Sequence, residues 1–204
     1  MGTTFTLAEK FLEKIEPDSV FVEIGSDRGE GSTQYFADLA QQHNTVLHTV
    51  DLLDRKNKSN DHPSVRWHIG AGSTWAQTEY PKIGKKISLL YLDNFDWTWD
   101  PDDIPGWIQS QITEYKTKFN IDMNNANCQA EHLAQITNLL PWLSDSAVVL
   151  CDDTFPLSIN ATIWGGKCGL VVPYLENFNF RVVDTVNCGL IMARGIDFPK
   201  TTML

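Results

Sequence analysis

An apolar strand that runs into a glycine-rich turn is the feature that most constrains this chain. Residues 20–24 read VFVEI, and the next segment carries Gly25, Gly29 and Gly31 before Ser32 and Thr33 open a helix. A continuous apolar run is typical of a buried parallel strand, and glycine lets the backbone turn tightly and approach a ligand closely. The pattern therefore predicts a strand–loop–helix unit, which either cradles a nucleotide or simply connects two elements of a doubly wound sheet.

The glycine spacing differs from that of dinucleotide-binding loops. It reads E-x-G-x-x-x-G-x-S from Glu23 onward, whereas those loops read G-x-G-x-x-G. Glu23 and Asp27 place negative charge close to the helix N-terminus, where a pyrophosphate group would normally bind. The loop therefore favours a cationic, phosphate-free ligand, for which S-adenosylmethionine is a candidate.

An acid at the tip of the second strand supports an adenosine-containing ligand. Residues 45–50 form an apolar run that ends at Asp51. A carboxylate in this position can accept hydrogen bonds from both ribose hydroxyls of a nucleoside lying across the strand ends. NAD-binding folds use the same arrangement, so Asp51 alone does not choose between the two ligands.

The composition fits one domain of a globular protein. The chain has 204 residues and a net charge of −10, which disfavours nucleic acids and anionic membranes as partners. It shows neither a long apolar span nor a signal-peptide pattern, so we expect a cytoplasmic protein. The four cysteines form no C-x-x-C pair, and reduced structural thiols are expected.

Strand and helix patterns alternate along the chain. A helical spacing of apolar residues from Leu7 to Ile15 predicts an N-terminal amphipathic helix. Seven strands are predicted, at residues 20–24, 45–50, 65–69, 87–92, 147–151, 180–186 and 189–193. Only Asn187 and Cys188 separate the last two strands, which must therefore pair as an antiparallel hairpin. The predicted fold class is α/β, with a doubly wound, mostly parallel seven-stranded sheet that ends in this hairpin.

Residues 20–96 and 126–193 resemble the class I S-adenosylmethionine-dependent methyltransferases, within them the metal-dependent O-methyltransferases of the catechol and macrolide-sugar types. The resemblance lies in the E-x-G-x-x-x-G-x-S loop, the ribose acid and a small-residue segment, 70–73, after the third strand. It implies a Rossmann-like fold and a single domain over residues 1–204. It also implies cofactor contacts from Glu23, Gly25, Ser26, Gly29, Ser32, Asp51, Leu52, Ala71, Gly72, Ser73 and Asp93.

Three further acids stand at the ends of the fourth and fifth predicted strands, and in the family they bind a metal. They are Asp93, Asp152 and Asp153. The carboxyl ends of neighbouring parallel strands lie side by side, and converging carboxylates repel one another unless a cation neutralises them. Oxygen ligands suit Mg²⁺, with Mn²⁺ and Ca²⁺ as alternatives. The acids could equally be solvated or cap the next helices along the chain.

The resemblance implies transfer of a methyl group to a hydroxyl of a small polar molecule. Asp96 stands where the catechol enzymes have a lysine, which favours a sugar, a polyketide or another polar diol as the acceptor. His132 and Lys167 are the candidate catalytic residues. Each also has a simpler interpretation, as an exposed histidine on a helix and as a surface lysine.

Residues 97–125 are interpreted as an insertion. They begin with a segment rich in tryptophan and aspartate and continue with apolar residues at helical spacing. This pattern predicts either a lid over the acceptor or the surface of a homodimer. Two other functions remain open for the whole chain. One is a noncatalytic adenosylmethionine-binding or assembly protein, and the other is a nucleotide-dependent oxidoreductase.

Overall fold

The computed structural model describes residues 4–14, 16, 18–26, 31–56, 61–158, 162–186 and 188–196. Its centre is a seven-stranded sheet in the order β3-β2-β1-β4-β5-β9-β8. The strands of this sheet are β1 (Val20–Ile24), β2 (Leu47–Asp51), β3 (Val65–Ile69), β4 (Ile87–Leu92), β5 (Leu143–Cys151), β8 (Arg181–Val186) and β9 (Gly189–Arg194). A separate small hairpin consists of β6 (Thr154–Pro156) and β7 (Trp164–Gly166).

The sheet confirms the predicted fold class. Strands β1 to β5 pair in parallel, and β9 is antiparallel to both β5 and β8. Strand β2 begins later than predicted, since the Thr45 amide still donates to the Ala40 carbonyl of the preceding helix at 2.8 Å. Strand β5 begins earlier, at Leu143, through a polar stretch that the apolar pattern did not include.

The helices surround this sheet. They are α1 (Ser32–Gln42), α2 (Gly72–Thr78), α3 (Tyr80–Ile83), α4 (Gly106–Phe119), α5 (Asn125–Leu139) and α6 (Val171–Glu176). The predicted N-terminal amphipathic helix is a 3₁₀ helix, Thr4–Lys14, that buries Phe5, Phe11 and Leu12, while Ile15 lies outside the described residues. A second 3₁₀ turn, Leu140–Trp142, leads into β5.

Two apolar cores lie on opposite faces of the sheet. Alternate residues of one strand enter different cores, so that Leu90 and Leu92 of β4 pack with α2 and α5 while Leu89 and Tyr91 pack with α1 and the N-terminal 3₁₀ helix. Burial on both faces explains why the strands appear in the sequence as continuous apolar runs. With both faces covered, the carboxyl edge of the sheet is the place where polar side chains meet.

The structure also bears on apolar spans and on the cysteines. Among the described residues, no helix combines the length and the hydropathy needed to cross a membrane. All four cysteines are free thiols; Cys128, Cys151 and Cys168 are buried, and Cys188 is exposed.

Candidate cofactor and active site

The carboxyl ends of β1, β2, β3 and β4 surround a cavity of about 470 Å³. It lies where the sheet changes direction, since the chain builds β2 and β3 on one side of β1 and then returns to β4 on the other. Such switch points are the usual ligand sites of open α/β sheets. Seven of the predicted cofactor residues line the cavity: Gly25, Ser26, Asp51, Leu52, Ala71, Gly72 and Asp93.

Gly25 allows the turns after β1 and β4 to come close together. Its φ is +96°, and a Cβ atom added there would lie 2.4 Å from the backbone carbonyl oxygen of Asp93. Both the backbone angle and the lack of space therefore require glycine. The contact joins the predicted cofactor loop to the acid that ends β4.

Asp51 is held on the cavity wall by its own loop. Its Oδ1 accepts a hydrogen bond from the Leu53 amide at 2.8 Å and lies 3.6 Å from Nε of Arg55. These contacts fix the carboxylate at the tip of β2 beside the cavity. Its predicted role as the ribose acceptor stays a prediction.

Glu23, Ser32 and Ser73 are not among the residues that line the cavity, and their cofactor contacts stay predictions. Glu23 is fully buried, and its carboxylate accepts hydrogen bonds from the hydroxyls of Ser32, Thr33 and Thr49 at 2.6–2.7 Å. This acid therefore ties the start of α1 and strand β2 to β1. Ser73 instead donates its amide and hydroxyl to Glu131 at 2.9 and 2.8 Å. Gly29 and Asp27 lie outside the described residues.

The three predicted metal-binding acids surround a lysine. Lys167 Nζ lies 2.5 Å from Asp93 Oδ1, 3.1 Å from Asp153 Oδ2 and 3.9 Å from Asp152 Oδ2. Burial by itself lowers the pKa of Lys167, but Asp93, Asp153 and Asp152 outweigh it and raise that pKa well above its ordinary value. The side chain is therefore a buried ammonium ion.

This arrangement does not fit a metal centre. Within the described ranges, no group of three or more His, Cys, Asp or Glu side chains could hold a metal ion. Other oxygens of the cluster also have donors, since Tyr91 donates to Asp93 Oδ2 and Thr4 donates to Asp152 Oδ1, both at 3.0 Å. Burial and the nearby Asp93 raise the pKa of Asp152, which reduces the negative charge of the cluster further. The structure thus has an ammonium ion at the place where the sequence predicts a divalent cation.

His132 is buried inside α5 rather than exposed on its surface. Its Nδ1 lies 2.8 Å from the Cys128 carbonyl oxygen, so Nδ1 carries the proton, and Nε2 has no hydrogen-bond partner among the described residues. Burial lowers the pKa of His132 to about 4, so the ring is neutral near pH 7. Neither His132 nor Lys167 is among the lining residues, although Lys167 contacts Asp93 of the cavity wall. Their catalytic roles stay predictions.

In the second half of the cavity the sequence singled out only Asp96, although one interpretation of residues 97–125 was a lid over the acceptor. This half consists of the turn after β4, one side of α4 with the loop at its C-terminal end, and the first turns of α5. The residues concerned are Asn94, Phe95, Asp96, Gln111, Tyr115, Asn120, Ile121, Asp122, Asn127, Ala130 and Glu131. A further signal was the pair Asn127 and Glu131, which lie four residues apart and so share a helix face.

The cavity wall is strongly acidic. Five carboxylates and one guanidinium line it, belonging to Asp51, Asp93, Asp96, Asp122, Glu131 and Arg55. A cleft lined by one sign of charge concentrates ligands of the opposite sign. The wall therefore suits a cationic ligand better than a pyrophosphate.

Residues 97–125 contribute to this wall through α4. Gln111 and Tyr115 line the cavity, and a pair of hydrogen bonds between Thr98 and Asn125 closes the base of the segment. Trp99 stacks on Phe155 of the β6–β7 hairpin, with ring centroids 5.1 Å apart. Trp107 is 60% exposed.

Comparisons with known proteins identify the fold. No protein-family model and no curated sequence matches the chain. Among solved structures, SMU.1697c of Streptococcus mutans, assigned as a methyltransferase and solved with SAH, matches 95% of this chain and 98% of its own at 10% identity, with a TM-score of 0.52. MycE, the methyltransferase of the mycinamycin biosynthetic pathway, solved with Mg, SAH and mycinamycin VI, matches 96% of this chain at 9% identity and a TM-score of 0.55.

A third match is an rRNA methylase from Streptococcus thermophilus, at 8% identity and a TM-score of 0.52, covering 95% of this chain and 98% of the other. This chain spans about half of MycE, since 51% of that chain is covered. At such identities the likeness establishes the class I methyltransferase fold.

Proposed function

We propose that this protein is an S-adenosylmethionine-dependent methyltransferase that moves a methyl group to a hydroxyl of a small polar molecule. The observation that carries the proposal is the cavity at the switch point of the sheet, where Gly25, Asp51 and the Ala71–Gly72 pair meet. Each lies at the carboxyl end of a different strand, β1, β2 and β3. A nucleoside lying across these strand ends would meet a glycine turn, a ribose acceptor and the start of α2 in that order.

The charge of the cavity supports this cofactor over NAD. The sulfonium and amino groups of S-adenosylmethionine are cationic, and the acidic wall attracts them. The pyrophosphate of a dinucleotide would instead face several carboxylates. When bound, the cofactor would supply an electrophilic methyl group, and the residues of this chain would bind it and position the acceptor.

The α4–α5 side of the cavity is the proposed acceptor site. Gln111, Tyr115 and Asn127 offer hydrogen-bonding groups that can orient a polar molecule, and orientation alone contributes much of the rate of such a transfer. Asp96 lies on the same wall and is 9% exposed. We propose that its carboxylate accepts the proton of the acceptor hydroxyl. The metal assistance predicted from sequence forms no part of this scheme, because Lys167 lies among the acids that were expected to bind the ion.

A small molecule is favoured over RNA as the acceptor, although one structural neighbour is an rRNA methylase. The net charge of −10 repels a phosphate backbone, and the acidic cavity adds to that repulsion. A methyl-transfer assay with polyhydroxylated small molecules in one arm and RNA in the other separates the two. Transfer to RNA alone would overturn the acceptor class, and cofactor binding without transfer to any acceptor would favour the noncatalytic alternative.

Isothermal titration calorimetry tests the cofactor. Wild-type protein should bind S-adenosylmethionine and S-adenosylhomocysteine but not NAD, and Asp51→Ala should weaken binding by ~1–3 kcal/mol through loss of hydrogen bonds to a charged group. Asp54→Ala is the matched control, because Asp54 is an exposed acid in the same loop that does not line the cavity. NAD binding, or equal affinity in the two variants, would contradict the assignment.

We also propose that residues 97–125 form a lid over the acceptor. Trp107→Ala should then weaken acceptor binding and leave cofactor affinity unchanged, with Leu170→Ala as a control at another exposed apolar side chain. If the segment is a dimer surface instead, the same substitution should lower the mass measured by light scattering.

A further inference from the structure

The acid cluster at the ends of β4 and β5 contains its own cation. We propose that Lys167 permanently replaces a divalent metal there, so that the protein needs no metal ion at this site. The lysine then acts as a positioning residue that holds Asp93 in the cavity wall. The metal-free site can be tested without cofactor or acceptor, and only the consequence for the acceptor rests on the proposed function.

One ammonium group serves three carboxylates. Its Nζ is within 4 Å of an oxygen of Asp93, Asp152 and Asp153, and the side chain is 3% exposed. Mg²⁺ would need several of these oxygens at about 2.1 Å. Two cations cannot share so small a buried space without strong repulsion. Binding a metal would therefore require Lys167 to leave.

The backbone holds Lys167 in this place. The Lys167 amide donates to the Asp153 carbonyl at 2.9 Å. The preceding residue, Gly166, has a φ of +85°, and a Cβ atom there would lie 1.8 Å from the same carbonyl oxygen. The β6–β7 hairpin thus returns the chain directly onto the end of β5. This hairpin therefore fixes the Lys167 backbone beside the acids, within reach of its ammonium group.

The remaining contacts make the cluster self-contained. Tyr91 and Thr4 donate to Asp93 and Asp152, and Lys167 bridges both acids to Asp153. Of these residues only Asp93 lines the cavity. The cluster therefore reaches the ligand through Asp93 alone.

The replacement of a metal ion by Lys167 changes which acceptors the site can recognise. A metal centre would select molecules with two neighbouring oxygens that can chelate the ion. With an ammonium in its place, the acceptor is recognised by hydrogen bonds and needs only one hydroxyl at the reacting position. A methyl acceptor with a single isolated hydroxyl is therefore within the proposed substrate class.

Metal binding to the purified protein tests the proposal directly. Wild-type protein should show no saturable Mn²⁺ site by electron paramagnetic resonance of the free ion, and EDTA should leave its thermal midpoint unchanged. Lys167→Met removes the ammonium but keeps the stem, so it should gain a Mn²⁺ site at least ten-fold tighter than any in the wild type. Lys167→Arg keeps the charge and should gain none.

Lys82→Met is the matched control, because it removes an exposed lysine that is also paired with a carboxylate, that of Glu79. It should gain no Mn²⁺ site. A folded Lys167→Met protein that gains none either would overturn the proposal. If that variant does not fold, the wild type still decides: stoichiometric Mn²⁺ binding that Asp153→Asn abolishes would show a metal site despite the lysine.

Discussion

Two parts of one sheet edge use the same kind of residue differently. At the tip of β2, Asp51 lines the cavity and contacts its own loop. At the end of β5, Asp152 and Asp153 face a buried lysine and do not line the cavity. The difference lies in the connection after each strand: the chain after β2 brings Arg55, which itself lines the cavity, whereas the chain after β5 brings Lys167, which is buried among the acids. Whether a strand-end acid can contact a ligand or instead stabilises the fold thus depends on residues that come later in the sequence.

This comparison predicts that the acid cluster governs stability and the Asp51 region governs binding. Lys167→Met should lower the free energy of unfolding by ~3–5 kcal/mol, because removing one partner of a buried ion pair leaves charge without compensation. Urea unfolding in the presence of EDTA measures this loss without interference from metal ions. A loss below that of an ordinary surface substitution would remove the distinction between the two regions.

The buried His132 should make stability depend on pH. Burial lowers the pKa of His132 to about 4 in the folded protein, against about 6.5 in the unfolded chain. As pH falls below 6.5, the unfolded chain binds a proton that the folded protein cannot, so about 3 kcal/mol is lost by pH 4. His132→Gln should flatten this dependence, and the difference from wild type cancels the other titrating groups. If the free energy of unfolding fell equally with pH in wild type and His132→Gln, the lowered pKa of His132 would be wrong.

Gly25 joins the two regions, so its replacement should affect both. Gly25→Ala combines a positive φ with a close contact to the Asp93 carbonyl, and such strain costs of order 1–3 kcal/mol. Gly31→Ala has a similar φ but no neighbouring atom within 4 Å of the new Cβ, so it should cost less. Thermal unfolding of both variants provides the measurement. Equal losses would mean that backbone angle, and not contact between the two turns, determines the effect.

The smallest expected effect on the free energy of unfolding is that of a substitution at Asp51. Asp51→Asn keeps an oxygen that can accept the Leu53 amide, so the free energy of unfolding should change by about 0.5 kcal/mol or less. Urea unfolding alongside Lys167→Met shows the contrast directly. If Asp51→Asn lowered the free energy of unfolding as much as Lys167→Met, Asp51 would also have a structural role.

The fold could be predicted because burial on both faces makes strands visible in the sequence. Strands β1, β3 and β4 begin and end at the predicted residues, and the short connection at Asn187 and Cys188 requires the final hairpin. The β6–β7 hairpin was missed because its strands have only three residues each, too few to produce a visible pattern.

Candidate residues were identified one by one on the cofactor side and only in small part elsewhere, for a physical reason. Motif spacing identified Gly25 and Asp51 because each lies at the end of an apolar strand that is visible in the sequence. Glu23 has its partners on α1 and β2, and Lys167 meets Asp93 from 74 positions away. Whether a charged side chain binds a ligand or another side chain depends on such distant partners, and no local pattern reports them.

The turn that carries Lys167 also has an evolutionary consequence. Asp152, Asp153 and Lys167 lie in one short stretch, 152–167, and the hairpin between them delivers the lysine to the acids. A single codon change at position 167 would leave three carboxylates facing one another and make the protein depend on ions from its surroundings. Proteins that descend from one ancestor could in this way differ in whether they require a divalent metal ion while keeping the same fold and the same acids.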